Sequence, residues 1–268
     1  MKLKVLVDNN TYIDNYYRGE PAVSYYIEDE DRKILFDVGY SDLFMENAYA
    51  FDIELDQITD IVISHGHDDH TGGLKYFFEQ FDIPSLRIIA HPKAFNEKRE
   101  GEMHTSSPLD ADELRIHSEL ILSEKPVKIT GNIYFLGEIP TLFDFEKRKP
   151  IGKERRNDSF VDDLLFDDSA IVYKSEKGIY IITGCSHSGI CSIVEYSKQI
   201  CDDARIAGII GGFHLFDMNR QLDQTINYFI KNHIHELYPC HCVSFKVKAE
   251  IHKSIPVGEV GVGMELTW

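Results

Sequence analysis

Apolar residues along the chain recur with two rhythms, period two and a period near 3.6, and their order predicts the elements. Leu3, Val5 and Val7 recur at every second position and predict a first strand over 2–7. Strands follow at 22–28 and 32–36, joined by the acidic turn EDEDR. The segment KILFDVG closes its strand on Asp37, and Gly39 lets the chain turn. A short helix is expected over 41–49. ITDIVISH, residues 58–65, is a short apolar run ending in polar residues, the pattern of a buried strand. It leads directly into SHGHDDHTGGL, residues 64–74, after which a helix is expected over 71–80 and a strand over 86–91.

Residues 92–160 show the least regular pattern. They hold HPKAFNEKREGEMHTSSP, a strand-like GNIYFLGEIP and the basic stretch KRKPIGKERR. Substrate-specific insertions have this character, as do plain surface excursions. Order returns at SAIVYKSEKGIYIITGCSHSG, which predicts a hairpin with Lys177-Gly178 at its tip. A helix over 189–201 carries Ile190, Ile193, Val194 and Ile200 on one side, and NRQLDQTINYFIKNH places Leu222, Ile226, Phe229 and Ile230 at core spacing. RIAGIIGGFH, HELYPCHC and GVGMELTW read as further strands, the second ending in a tight turn. Strands first, then strands alternating with helices, occur roughly twice. Two sheets back to back with helices outside satisfy that order.

The chain has 268 residues, 43% of them apolar, enough for a substantial core. Its formal net charge of −17 argues against nucleic acid and anionic membrane as partners. The one local exception is residues 147–156, with six basic residues and one acid, read as a solvated mobile loop. The five cysteines, Cys185, Cys191, Cys201, Cys240 and Cys242, lie in the C-terminal third and suggest reduced thiols rather than a disulfide framework. With no apolar signal core and no run of the ~18 residues a membrane span needs, the expected location is the cytoplasm.

The dense window carries the chemistry. His65 and His67, two apart just after a strand, point the same way and can bind one metal, with Gly66 keeping backbone bulk away. The chain then turns, and Asp69 and His70 can address a second metal nearby. Imidazole nitrogen with carboxylate oxygen suits zinc; iron and manganese also accept this set. One window cannot complete two coordination spheres. Three later strand ends offer further donors: Cys185 and His187 in IITGCSHSG, His214 in IIGGFH, and His241 in LYPCHC. His214 also fits an active-site role short of ligation. Cys185 fits a thiolate ligand or a small core residue.

These motifs resemble the metallo-β-lactamase superfamily. SHGHDDHTGG is similar to its H-x-H-x-D-H motif and LFDVG to its upstream aspartate motif. GCSHSGI, GGFHL and PCHC resemble its branch of 7,8-dihydropterin-6-methyl-4-(β-D-ribofuranosyl)-aminobenzene-5′-phosphate synthase-like proteins. The resemblance spans residues 3–268. It implies a single α+β domain, an αββα four-layer sandwich of two mixed β-sheets with helices outside, the 92–160 region as insert and the metals along one sheet edge. It makes His65 and His67 ligands of the first metal, and Asp69, His70 and His241 ligands of the second. Asp37 would hydrogen-bond the cluster and orient it. Two departures stand out. LGEIP precedes the hairpin, so Glu138 falls where the superfamily commonly has a histidine. TGCSH follows it where TGD is common, so either Cys185 or His187 replaces the bridging aspartate or one metal is held weakly.

The expected activity is hydrolysis of an ester or phosphoester by a water that one or two divalent metals, zinc foremost, make reactive at neutral pH. Asp69 would orient that water and His214 would donate to an oxyanion or a substrate phosphate. The resembled branch implies a small phosphorylated, pterin- or ribose-linked substrate, and Phe95, Phe143 and Phe145 are candidates to stack on its ring. Two other classes compete: an iron-dependent redox or oxygenase enzyme, against which His67 argues because diiron versions of this fold usually carry glutamate there, and a non-catalytic metal-dependent binder.

Overall fold

The computed structural model describes residues 1–268. Two mixed sheets stack face to face. The first has seven strands, in spatial order Glu265–Thr267, Lys2–Val7, Ser24–Asp29, Arg32–Phe36, Asp60–Val62, Arg87–Ala90 and Glu119–Leu122. The second has six: Leu237–Pro239, Ile206–Gly211, Gly178–Thr183, Ala170–Ser175, Ile133–Phe135 and Val127–Lys128. Hairpin neighbours pair antiparallel, as at Ser24–Asp29 with Arg32–Phe36 and at Ala170–Ser175 with Gly178–Thr183. Strands separated by helices pair parallel, because a chain returning through a helix re-enters the sheet in the same direction.

Alternation along each strand sorts the core. Ile34, Phe36, Val62 and Ile89 of the first sheet meet Ile171, Ile182 and Ile210 of the second in a cluster of 17 buried residues between the sheets. Their neighbours Leu35, Ile61, Ile63 and Ile88 point the opposite way and pack with Phe44 and Phe77 of the helices Leu43–Ala50 and Leu74–Gln80. On the second sheet, Val172, Ile181 and Ile209 meet Ile193, Val194, Leu222 and Phe229 of the helices Ile190–Cys201 and Arg220–Lys231. Each such side chain contributes about 1.5–3 kcal/mol by leaving water. The layering is helix, sheet, sheet, helix, the αββα sandwich that the motifs imply. No helix is long and apolar enough to cross a membrane.

Several expectations need correction. The strand at 58–65 is only Asp60–Val62, so the histidine window starts beyond the ladder. The helix expected at 71–80 begins earlier, as Asp68–Thr71, and resumes as Leu74–Gln80, which puts Asp69 and His70 on a helical turn rather than on a loop. In the helix Arg220–Lys231 the buried face is Leu222, Thr225 and Phe229, while Ile230 is 46% exposed. Ile230 lies about 100° round from Phe229 on the helix, off the face the sheet covers. Residues 147–156 are not a loop throughout. Lys153–Arg156 is a strand between Ser159–Asp162 and Lys98–Glu100, and with Met103–His104 these form a third, four-stranded sheet inside the irregular region. The helices Ala111–His117 and Phe245–His252 were not anticipated.

Candidate metal centre

Two triplets of parallel strands deliver their carboxyl ends to one edge of the sandwich. From the first sheet, Arg32–Phe36 leads to Asp37, Asp60–Val62 to the window at His65, and Arg87–Ala90 to His91. From the second, Gly178–Thr183 leads to Cys185 and His187, Ile206–Gly211 to His214, and Leu237–Pro239 to His241. Carboxyl ends of parallel strands are where such folds bind ligands, because the loops there are free to vary. The turns are sharp. Asp37, Ser186, His214 and His241 all carry left-handed backbone, with φ of 56°, 61°, 48° and 50°, a conformation that side-chain-bearing residues hold only when their surroundings demand it.

Gly66 shows how tightly the window is built. A Cβ there would sit 1.8 Å from the Ala94 carbonyl oxygen, so no other residue fits without moving backbone. Its N–H donates to Asp167 Oδ2 at 2.8 Å. His65 and His67, on either side, come together with Nε2 of the first 3.1 Å from Nδ1 of the second.

The donors fall into overlapping sets, within each of which the ligand atoms lie no more than 4.8 Å apart. His65, His67 and Asp69 form one, His65, Cys185 and His187 another, and Asp69, His70, Cys185 and His241 a third. Cys185 Sγ thus belongs to groups on both sides of the centre. His70 Nε2 lies 3.2 Å from it, and Asp69 likewise belongs to two of the sets. His187 joins only the His65 side. Its ring centroid lies 4.8 Å from that of His65 and 5.3 Å from that of His67. Asp69 Oδ2 lies 3.5 Å from His70 Nε2 and 3.3 Å from His241 Nε2. His214 belongs to none of the sets, although its ring is 4.3 Å from that of His187. Glu138 does not reach the centre either; it pairs with His91 Nε2 at 3.3 Å in a separate group with Glu124.

Hydrogen bonds fix the tautomers. The buried Asp37 carboxylate accepts from Ser64 N, Ser64 Oγ and His70 Nδ1, each at 2.7 Å. With Nδ1–H of His70 engaged, Nε2 faces the centre. Asn9 Oδ1 plays the corresponding part 3.1 Å from Nδ1 of His241, whose backbone N–H donates to Asp8 Oδ1 at 3.0 Å.

Electrostatics point the same way. Burial, then the neighbouring imidazoles, holds His65 and His187 well below the ordinary histidine range. Burial, then Lys98, lowers His67 to about 4; burial, then His241, does the same for His214. These rings are neutral at pH 7, with lone pairs available. Burial also works against a charged His70, but Asp69 and Asp37 outweigh it and raise that ring to about 9. Asp69 stays below the usual carboxylate range because His70 and His241 overcome its burial. Burial, then Cys242, pushes the Cys185 thiol well above its ordinary value.

Fit to a metal can be tested on one residue. Both ring nitrogens of His187 are buried and have no hydrogen-bond partner. A neutral imidazole stripped of water on both nitrogens costs about 1–3 kcal/mol per unmet group, and three imidazoles crowd against it. A cation would meet the lone pair of one of these nitrogens and give the crowded neutral rings a common centre. Nitrogen, carboxylate and thiol donors in this geometry suit a transition metal.

Several residues that hold the site went unnoticed in the sequence. Lys98, 1% exposed, donates to Asp163 Oδ2 at 2.7 Å and to Asp167 Oδ1 at 3.0 Å. Asp168 Oδ2 accepts from Ser188 N at 2.9 Å and so fixes the turn that carries His187. The Asp8-Asn9 pair and the Asp167-Asp168 pair, each beside a strand, were the available signals. Of the ring-stacking candidates, Phe95 is buried under the first sheet, and Phe143 and Phe145 pack on the second core. The aromatic that reaches the site is Phe216, 45% exposed and edge-on to His214 at 4.8 Å. A cleft of about 400 Å³ opens over His67, Asp69, Cys185, His187, His214 and His241.

Comparison with known proteins agrees with the fold. Residues 17–198 match the family model of the metallo-beta-lactamase superfamily. An uncharacterized protein of Methanocaldococcus jannaschii, MJ0448, is 33% identical over 97% of this chain and 98% of its own length. The 7,8-dihydropterin-6-methyl-4-(beta-D-ribofuranosyl)-aminobenzene-5′-phosphate synthase of the same organism is 30% identical, over 92% of this chain and 89% of that protein. Among solved structures, Tm1679, described as a metal-dependent hydrolase of the beta-lactamase superfamily, superposes with a TM-score of 0.84 at 28% identity, covering 100% of this chain and 99% of that one.

Proposed function

The chain belongs to the metallo-beta-lactamase superfamily, and from that premise we propose that it is a metal-dependent hydrolase of a small ester or phosphoester. The observation that carries this is His187, whose two buried, unpartnered nitrogens stand among His65, His67 and Cys185. His65, His67 and His187 would hold one divalent metal, and Asp69, His70 and His241 a second, with Cys185 Sγ placed between the two sets. Zinc suits the donors best; iron and manganese are the alternatives. Such ions lower the pKa of coordinated water to about 7.

The chain's own residues do the rest. Asp37 keeps the His70 proton on Nδ1 and so leaves Nε2 to ligate. Asp69, at the junction of the sets and ionised at neutral pH, accepts a hydrogen bond from the attacking water and orients it. His214, neutral and outside every ligand set, has an N–H to donate to the oxygen that gains charge. His214 lines the cleft from a turn with left-handed backbone.

A phosphorylated, ring-bearing substrate is supported by the relative named for a pterin-linked ribofuranosyl-aminobenzene phosphate. The same name favours a second reading, group transfer to an acceptor other than water. The two separate in one experiment. Turnover of bis(p-nitrophenyl) phosphate in H₂¹⁸O should place one ¹⁸O in the product phosphate and should disappear in His187→Ala while the far-ultraviolet circular dichroism is retained. Turnover that His187→Ala leaves intact would refute the hydrolase assignment.

A further inference from the structure

A second hollow adjoins the metal cleft. Its volume is about 350 Å³, and it shares Ile151, His187, His214 and Phe216 with the cleft, so the two are lobes of one depression. Its outer wall is the start of the basic stretch, Lys147 and Lys149, facing the turn at Asp217 and Asn219.

The balance of charge in this lobe is not what its composition suggests. Asp217 is paired with Lys246 Nζ at 2.7 Å. Glu146 is buried, its two oxygens accepting from Cys191 N and Ser192 N at 2.8 Å each, which uses its charge to cap the helix Ile190–Cys201. Both acids are therefore engaged. The lysines are not. Lys149 is exposed and pairs with no carboxylate, and Lys147 meets only Asp144, at 3.3 Å, with both side chains more than 70% exposed.

The lysines are also aimed. Lys147 and Lys149 both line the lobe. Arg148, between them, turns inward: its guanidinium donates to the carbonyls of Ile139, at 2.9 Å, and Leu165, and lies over the Phe166 ring at 5.3 Å. Glu146 and Arg148 anchor the chain on either side of Lys147, and the side chains of Lys147 and Lys149 line the lobe. In a chain of net charge −17, this is a local cationic site next to the reactive centre. Phe216 stands on the wall common to both lobes, where a flat ring would rest.

We propose that the Lys147/Lys149 lobe takes a terminal phosphate monoester of the substrate, with the ring of that substrate against Phe216 and its scissile ester over the metal ligands. This assignment rests on the hydrolase reading above but is tested apart from it. Two matched probes suffice: thymidine 5′-(p-nitrophenyl phosphate) and its 3′-phosphorylated form. Wild type should prefer the 3′-phosphorylated probe in kcat/KM, and the double variant Lys147→Gln/Lys149→Gln should lose about tenfold of that preference, since charge-assisted contacts of this kind are worth a factor of about ten or more. Lys177→Gln, at a distant hairpin tip, should keep it. If wild type turns over neither probe, the lobe is read by calorimetry with thymidine 3′,5′-bisphosphate against thymidine 5′-monophosphate, while the hydrolase reading stands or falls on bis(p-nitrophenyl) phosphate. Tighter binding of the bisphosphate, lost in the double variant, upholds the lobe. Equal binding of the two ligands by wild type, or a preference that survives in the double variant, overturns it.

Discussion

Replacing Lys98 by methionine isolates what the buried ion cluster does. The substitution keeps the length and apolar stem of the side chain but removes the cation between Asp163 and Asp167, which lie 2.7 and 3.0 Å from Nζ. All three side chains are within 2% of complete burial. Removing one partner of a buried ion cluster costs about 3–5 kcal/mol, because the stranded charge stays out of water. Unfolding entropy is about 2.1 cal/mol/K per residue, which for 268 residues converts that cost to a fall in melting temperature of about 5–9 °C. The two carboxylates left facing each other must share a proton, so their folded-state pKa values rise above the unfolded ones. The folded variant then binds more protons than the unfolded chain, and its deficit should shrink as pH falls from 7 toward 5. Thermal unfolding of metal-free protein by circular dichroism reads both effects. Adding Asp163→Asn and Asp167→Asn to Lys98→Met should recover most of the loss, since the Asn amide oxygen can still accept from Gly66 N. A single variant that melts within about 2 °C of wild type, or a triple variant that melts no higher than the single one, would refute the account.

Gly66→Ala should abolish metal retention, because its Cβ would meet the Ala94 carbonyl at 1.8 Å and force His65 and His67 apart; elemental analysis of the purified variant, with less metal than wild type, checks it. Loading the metal-free protein at pH 7 should release about one proton from His70, held near 9, and another from the Cys185 thiol if it ligates. Titrations in buffers of different ionisation enthalpy count these protons, and Cys185→Ser should remove one. Acid should unfold the metal-free protein early. His67 and His214, lowered to about 4, and His65 and His187, held well below the ordinary range by burial, bind fewer protons folded than unfolded once pH drops below about 6.5. His70 acts in the opposite sense, its contribution present below about 6.5 and lost as pH rises through about 9. Urea denaturation after chelation should thus show less stability at pH 5 than at pH 7; equal or greater stability at pH 5 would contradict the burial of these rings.

What could be read from the sequence divides along physical lines. The sheets were legible because their strands repeat apolar residues at period two on faces that bury them, as Ile34 and Phe36 do. The window at 65–70 was legible as a cluster because four donors stand within six positions of one another, and the fold keeps them together. The third sheet was not legible, since its strands run to two to four residues and one of them, Lys153–Arg156, is charged at every position. Lys98, Asp163 and Asp167 looked like solvated charges, because only the fold brings them together across 69 positions of sequence. The helix Ala111–His117 did carry a signal: Asp110 and Glu113 form a capping box, with Asp110 N donating to Glu113 Oε2 at 2.8 Å. Phe216 was not legible, because a single aromatic two residues after His214 has no periodic pattern to mark it, and only the fold sets it edge-on to that ring.

The convergence of two strand triplets on one edge has a consequence for the birth of the molecule. Donors separated as widely in the chain as His65 and His241 meet only after the two sheets have docked. A nascent polypeptide emerging from the ribosome therefore has the His65, His67 and Asp69 set long before the set that includes His241, and filling of the latter would report completed folding.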